Sequence, residues 1–333
     1  MNKTMLAVVV LALTLTTVQA QDDKPAEPAP EKKTESGIKL DWNFTKGLER
    51  KYRQAQVLTQ SMDFGMGASD VVSDTTTWYT EKCLGFTEDG AVHLQYTYDR
   101  IHAKISATGI EFDYDTADPD ESQLEAMPSM RGVVATAGKT FEYELTLEYE
   151  VRQLIGWDKV RESILKDMGE EVAAQMAPTY SDENMTNQLE AQYRGLSPKP
   201  VAKGDTWVWM QVVPAGLLGS MTYEHTVKLD EFKTENKLHT AHMSSEGKMK
   251  FQKTDDPTYA EWKISYSDIS VKGSMVWDVK AGMVRSSKQE NAMTMVIDYG
   301  AQLTQKIKSV AELELLPEEK PEAKPEPDAN PKD

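Results

Sequence analysis

The chain has 333 residues, 37 basic against 54 acidic, a formal net charge of −17 at pH 7, 39% hydrophobic residues and one cysteine. A phosphate backbone attracts the opposite charge balance, so no nucleic acid is expected as a partner, and an anionic membrane surface is disfavoured for the same reason. With Cys83 alone, neither an internal disulfide nor a zinc site built from several cysteines can form, and the core must hold by packing.

Residues 1–20 read as a secretory signal peptide. Asn2 and Lys3 open it, Met5 to Val18 is apolar apart from three threonines, and Val18-Gln19-Ala20 offers small residues at −3 and −1 of a cut before Gln21. Gln21, not Cys, follows that cut, which argues against lipid attachment of the bacterial lipoprotein type. A transmembrane helix needs roughly 20 predominantly apolar residues. No later segment approaches that length, so no transmembrane segment is expected after cleavage. The expected location is outside the inner membrane, periplasmic or secreted.

Residues 21–36 are mostly Pro, Ala, Glu and Lys without a large apolar side chain, and residues 317–333 repeat that composition as an acidic, Pro-rich tail. Such segments bury too little apolar surface to offset the entropy of ordering, and both read as disordered. Between them lie a first β-rich unit (37–156), a helical connector (157–200) and a second β-rich unit (201–316).

The first unit carries its clearest alternation at Phe141 to Val151, where Phe141, Tyr143, Leu145, Leu147, Tyr149 and Val151 point one way and acidic residues the other. This spacing predicts one long strand with one solvated face. A similar pattern runs through Val92, Leu94, Tyr96 and Tyr98, and the parity switch before Ile101 predicts a bulge. Cys83, in the strand-like run Tyr79 to Leu84, is expected to be a buried thiol. Glu88-Asp89-Gly90 predicts a hairpin turn. In the connector, Val160, Ile164, Leu165 and Met168 recur at helical spacing from Asp158, a candidate cap, and a second helix is predicted over Asp182 to Tyr193. The second unit alternates at Met221 to Leu229 and at Trp262, Ile264 and Tyr266. Its clearest hairpin joins Gly273–Val279 to Met283–Arg285 through Lys280-Ala281-Gly282. The predicted fold class is therefore mainly β (α+β), with long antiparallel strands in one or two curved sheets.

The two units also echo each other. Lys46-Gly47 through Tyr52 resembles Lys203-Gly204 through Trp209, and Phe86 with His93 resembles Phe232 with His239. A duplicated β unit is the expectation.

Five stretches carry a wider resemblance. They are Tyr98-Asp99-Arg100-Ile101, Phe112-Asp113-Tyr114-Asp115, Gly138-Lys139-Thr140-Phe141, Pro200 through Trp207, and the Gly273 to Gly282 hairpin. Together they resemble a family of exported bacterial proteins catalogued only as a domain of unknown function. The resemblance implies export and a β-rich fold, and it brings no activity, cofactor or catalytic residue with it.

Chemistry-bearing clusters are few. Asp113, Asp115, Asp118, Asp120 and Glu121 form the densest acidic run, and Asp113, Asp115, Asp118 and Asp120 are the candidate ligands for a hard cation such as calcium. The spacing is not that of an EF-hand, and a solvated acidic loop is the competing reading. His239 and His242 lie three apart in a strand, on opposite faces. His225 sits on an apolar face, as a hydrogen-bonded core histidine does. No nucleophile elbow, phosphate-binding loop or dinucleotide fingerprint occurs, so no catalytic residue and no cofactor are assigned. Methionine is abundant, at 17 residues. Flexible, polarisable methionines suit surfaces that accept varied apolar ligands, although they also fill cores. Met275, Trp277, Met293 and Met295 are the candidate ligand-binding residues. The functional expectation is a non-catalytic cell-envelope protein that binds an apolar, lipid-like ligand in a curved sheet. Its alternatives are a structural or adaptor protein that holds an envelope protein, and an enzyme of unrecognised type.

Overall fold

The computed structural model describes residues 37–63, 65, 67–214, 219–255, 261–298 and 302–317. The predicted signal peptide, the linker at 21–36 and residues 318–333 of the predicted tail lie outside the described residues. In chain order the strands are β1 (Glu49–Asp63), β2 (Ala68–Phe86), β3 (Val92–Ala107), β4 (Ile110–Asp115), β5 (Thr140–Leu145), β6 (Val151–Ile155), β7 (Thr206–Pro214), β8 (Gly219–Glu235), β9 (Leu238–Lys253), β10 (Lys263–Asp278), β11 (Met283–Asp298) and β12 (Gln302–Leu315). All pair antiparallel in one sheet, ordered β6-β5-β3-β2-β1-β12-β11-β10-β9-β8-β7, with β4 beside the far half of β3. The helices are α1 (Glu121–Ala126), α2 (Arg131–Val134), α3 (Trp157–Met168), α4 (Glu170–Met176) and α5 (Asp182–Tyr193).

The sheet is two meanders joined edge to edge by the β1–β12 pairing, and one local geometry recurs in both. Before β1, Gly47 (φ +86°) donates its N–H to the Cys83 carbonyl, and Cys83 donates back to Leu48. Before β7, Gly204 (φ +90°) donates to Leu229, and Leu229 donates back to Asp205. A bulge follows immediately in both partner strands, between Cys83 and Gly85 and between Leu229 and Glu231. Phe86 and Phe232 stand at the same step from their bulges. His93 does not match His239, however: it pairs opposite Gly85, and His242 is the residue opposite Glu231. The β8–β9 hairpin shifts the register, so spacing alone misaligned the histidines.

The predicted bulge near Tyr98 is present: Asp99 is the extra residue between Tyr98, opposite Tyr79, and Arg100, opposite Trp78. Helix α5 has the predicted bounds, capped by the Ser181 hydroxyl, which accepts from the Asn184 N–H. Two local expectations are corrected. The run Phe141 to Val151 is a hairpin, not one strand, because Thr146 and Glu150 close a turn in which Tyr149 adopts φ +65°. That turn preserves the parity of the alternation and so hides itself; Leu147 at its tip is 71% exposed. Helix α3 is entered through Gly156 at φ +79°, and Asp158 lies in its first turn instead of capping it. Helices α1, α2 and α4 were not foreseen.

Three apolar clusters cover the inward face. Strands β5 and β3 to β1 pack against α3–α5 around Tyr143, Trp157, Ile164, Leu189 and Tyr193. Strands β8 to β11 pack around Leu229, Met243, Trp277 and Val284 with Leu40. At the far end Met62, Ile105, Phe112, Met293, Met295 and Ile297 form a Met-rich cluster under β4, α1 and α2. A strap of residues 37–45 ties the first two clusters together. Ile38 bridges Val201, Asn43 donates to the Gly282 carbonyl at 3.0 Å, and Trp42 packs edge-on to both Trp277 and Tyr193. Gly282 is required there, since a Cβ would stand 2.6 Å from the Asn43 backbone nitrogen.

Candidate functional site

Tyr98 and Ile101 of β3 face the same space as Trp209 and Gln211 of β7. Eight strand-to-strand steps separate β3 from β7 in the sheet order, or roughly 38 Å if the sheet were flat. The sheet therefore wraps, and α4, α5 and the α2 region lie across its concavity. Between them is a cavity of about 390 Å³, within the range of roughly 300–1,000 Å³ typical of ligand pockets.

Its floor is set by strand register. One row of inward positions runs Thr75, Gln56, Ala311, Gln289, Gly273 and Ser245 across six neighbouring strands. The adjacent row, nearer the helices, runs Thr77, Gln54, Leu313, Ser287, Met275 and Met243. These positions have the parity of buried Tyr52, Leu58 and Met62, yet most carry small or uncharged polar side chains. The first row leaves the sheet unfilled; α4, the turn after it and α5 supply Met176, Tyr180 and Met185 above it. The floor is thus an uncharged polar belt between apolar ends.

One wall is aromatic. Tyr52, Tyr79, Tyr96 and Phe141 stack across β1, β2, β3 and β5 with ring centroids 5.4, 4.7 and 5.5 Å apart, and Trp157 closes the series edge-on at 5.1 Å. Burial pushes the hydroxyls of Tyr52, Tyr79 and Tyr96 up from the ordinary phenol range, so they stay protonated. Tyr52 is 4% exposed and its hydroxyl has no hydrogen-bond partner.

The end of this wall is fastened by a buried ion pair. Arg50 donates to Glu81 at 3.2 Å and to the Asn43 carbonyl, with its guanidinium over the rings of Trp42 and Phe44. The second Glu81 oxygen accepts from the hydroxyls of Tyr143 and Tyr193. Strap, sheet and α5 meet at this one carboxylate.

On the opposite wall His225 is 2% exposed, stacks on Trp209 at 4.4 Å and bonds Gln211 through Nε2 at 3.3 Å. Burial lowers its pKa to about 4, against roughly 6.5 in an unfolded chain. Its folded value is the lower one, so its contribution to stability is complete above pH 6.5. That contribution is lost as pH falls toward 4, because the unfolded chain then binds the extra proton. The expected loss is at most about 3 kcal/mol. Urea denaturation at pH 7 and at pH 4.5 should show His225→Gln losing less stability across this interval than wild type. An equal loss would assign the pH dependence elsewhere.

The residues singled out from sequence are not brought together. Met275 lines the cavity. Trp277, fully buried, lies beyond it against Trp42. Met293 and Met295 belong to the Met-rich cluster, with Met293 six residues along β11 from the Met275 row, roughly 20 Å at strand rise. The acidic run is spread over β4, a turn and the start of α1. Asp113 bridges His102 at 2.8 Å and Lys104 at 2.9 Å. Asp115 bonds Arg100, whose guanidinium holds its carboxyl down at about 2. Asp118 follows in a bridge to Asp115, and Asp120 caps α1 by accepting from the Ser122 N–H. Among the described residues no three His, Cys, Asp or Glu side chains gather as a metal site. Cys83, 2% exposed, directs its thiol to the Gly85 carbonyl, and burial raises its pKa. Sequence reading passed over the glutamines of β1. Their signal was present, as Gln54, Gln56 and Gln60 recur on the parity of Tyr52, Leu58 and Met62.

Comparison with known proteins adds little about chemistry. No curated protein matches the sequence. Among solved structures, DynF from the dynemicin biosynthesis pathway of Micromonospora chersina aligns over 90% of this chain and 95% of its own, at 4% identity and a TM-score of 0.21. OpdQ of Pseudomonas aeruginosa aligns over 80% and 99%, at 7% identity and 0.23. A putative outer membrane lipoprotein-sorting protein domain from Vibrio parahaemolyticus aligns over 80% and 83%, at 9% identity and 0.11. At these scores none establishes a shared architecture. No helix among the described residues is long and apolar enough to cross a membrane. A family model, in contrast, matches residues 89–309, from the β2–β3 turn into β12. The chain belongs to that family, described as a family of unknown function (DUF6263).

Proposed function

We propose that this chain is an exported cell-envelope protein that binds an apolar, lipid-like ligand between its curved sheet and its helical connector. The observation that carries the reading is the cavity of about 390 Å³ with one aromatic wall and apolar ends. A sheet that only needed a core would fill this space; here Gly273, Ser245 and Ala311 occupy the row where larger side chains would close it. The apolar segment Met5 to Val18, with its small-residue cleavage pattern, supports export.

Native mass spectrometry of the protein from its own envelope fraction, followed by solvent extraction, tests both parts. The expected spectrum shows a chain beginning at Gln21 with an adduct of lipid-like mass. Met275→Trp, which fills the cavity from β10, is expected to lose the adduct while remaining folded. A bare wild-type mass that also takes up neither a monoacylglycerol nor a fatty acid offered in excess would overturn the binding reading.

A further inference from the structure

We infer that the group this cavity recognises on its ligand is uncharged, a hydroxyl, ester or amide held at the glutamine–threonine belt and by the Tyr52 hydroxyl. The inference rests on the binding function proposed above and narrows the ligand to a neutral amphiphile. Among the described residues, the charged side chains that line the cavity are already matched within the protein. Glu81 is engaged by Arg50 and two tyrosines. Arg194 pairs with Glu190 at 2.8 Å, and Lys288 with Glu290 at 3.0 Å and Glu312 at 3.5 Å. A carboxylate, phosphate or ammonium brought into this space would lose its hydration and find no spare countercharge.

Uncharged donors and acceptors are abundant by comparison. Gln54, Gln56, Thr75, Thr77 and Gln289 face the cavity from adjacent strands. The Tyr52 hydroxyl, beside Gln54 on the same face, is buried without a partner, and such a group costs free energy until a partner arrives. Gln60 and Gln305, diagonal neighbours on β1 and β12, are 1% and 0% exposed, and their amides also lack partners. The interior therefore offers hydrogen bonds and no net charge. His225, neutral at physiological pH, adds none. A ligand that matches this lining places a neutral polar group at the belt and apolar segments against the tyrosine wall and the methionines.

The test is calorimetric titration of the full mature chain, stripped of bound lipid, with monolaurin and with laurate below their aggregation limits at pH 7.5. The two probes share one acyl chain and differ in the charge of the polar group. Monolaurin is expected to bind at least about ten-fold more tightly than laurate. Tyr52→Phe is expected to weaken monolaurin about five-fold, the size of one hydrogen bond. The same variant should leave laurate within about two-fold, and the unfolding midpoint of the ligand-free protein unchanged or raised, since no bond is lost there. Laurate binding as tightly as monolaurin, or monolaurin indifferent to Tyr52→Phe, would refute the neutral-group inference while leaving the cavity a lipid site. Failure of both probes to bind would instead remove the proposed function itself.

Discussion

Arg50→Met is expected to cost about 3–5 kcal/mol of folding stability, the size typical of breaking a buried ion pair from one side. The side chains of Arg50 and Glu81 are 2% and 5% exposed, and the two residues face each other across β1 and β2. Removing the guanidinium leaves a carboxylate with two tyrosine donors and no positive charge. It also frees the Asn43 carbonyl and the strap rings that the guanidinium covers. Arg50→Met with Glu81→Gln removes both charges and should recover more than half of the loss, since the desolvation cost disappears with the pair. Urea denaturation with unchanged slope measures each cost. A loss below about 1 kcal/mol in the single variant would show that strap and α5 are held without this carboxylate.

The second large effect is expected at Trp157, 1% exposed at the start of α3. Its ring ends the aromatic series edge-on to Phe141, and its Nε1–H donates to the Tyr180 carbonyl at 3.2 Å. Trp157→Ala removes the ring and strands that carbonyl, at an expected cost of about 3–5 kcal/mol. Trp157→Phe keeps most of the apolar area and should recover at least half. Tyr180, Met176 and Met185 form part of the cavity roof, so the alanine variant should also weaken binding of a monoacylglycerol even where the protein remains folded. Wild-type binding by a folded Trp157→Ala variant would show that the roof is positioned without this contact.

What could be read without tertiary structure follows a physical pattern. Strands β3, β8 and β10 were legible because one face is buried and the other solvated, which prints a two-residue period on the chain. Helix α5 was legible from Met185, Leu189 and Tyr193 and a polar cap. Strands β1 and β12 were not. Their inward face is broken by Gln54 and Gln56 on β1 and by Ser309 and Ala311 on β12, so the alternation of hydrophobicity fails there although the alternation of direction does not. The property that hides these strands is the one that makes the site.

The amino-acid sequence by itself determined the sheet-forming segments with alternating hydrophobicity, the antiparallel class, the helical connector and the repeated Lys-Gly turn, because each depends on contacts and dihedral preferences within a few residues. Tertiary structure alone decided that both units share one sheet, since the β1–β12 pairing joins residues more than 200 positions apart through backbone groups every residue carries. It also decided that Arg50, Glu81, Tyr143 and Tyr193 meet, and that Met275 faces a cavity while Met293 and Met295 fill a core. Register sets those outcomes, and register is a sum over many weak pairings that no local stretch of residues reveals.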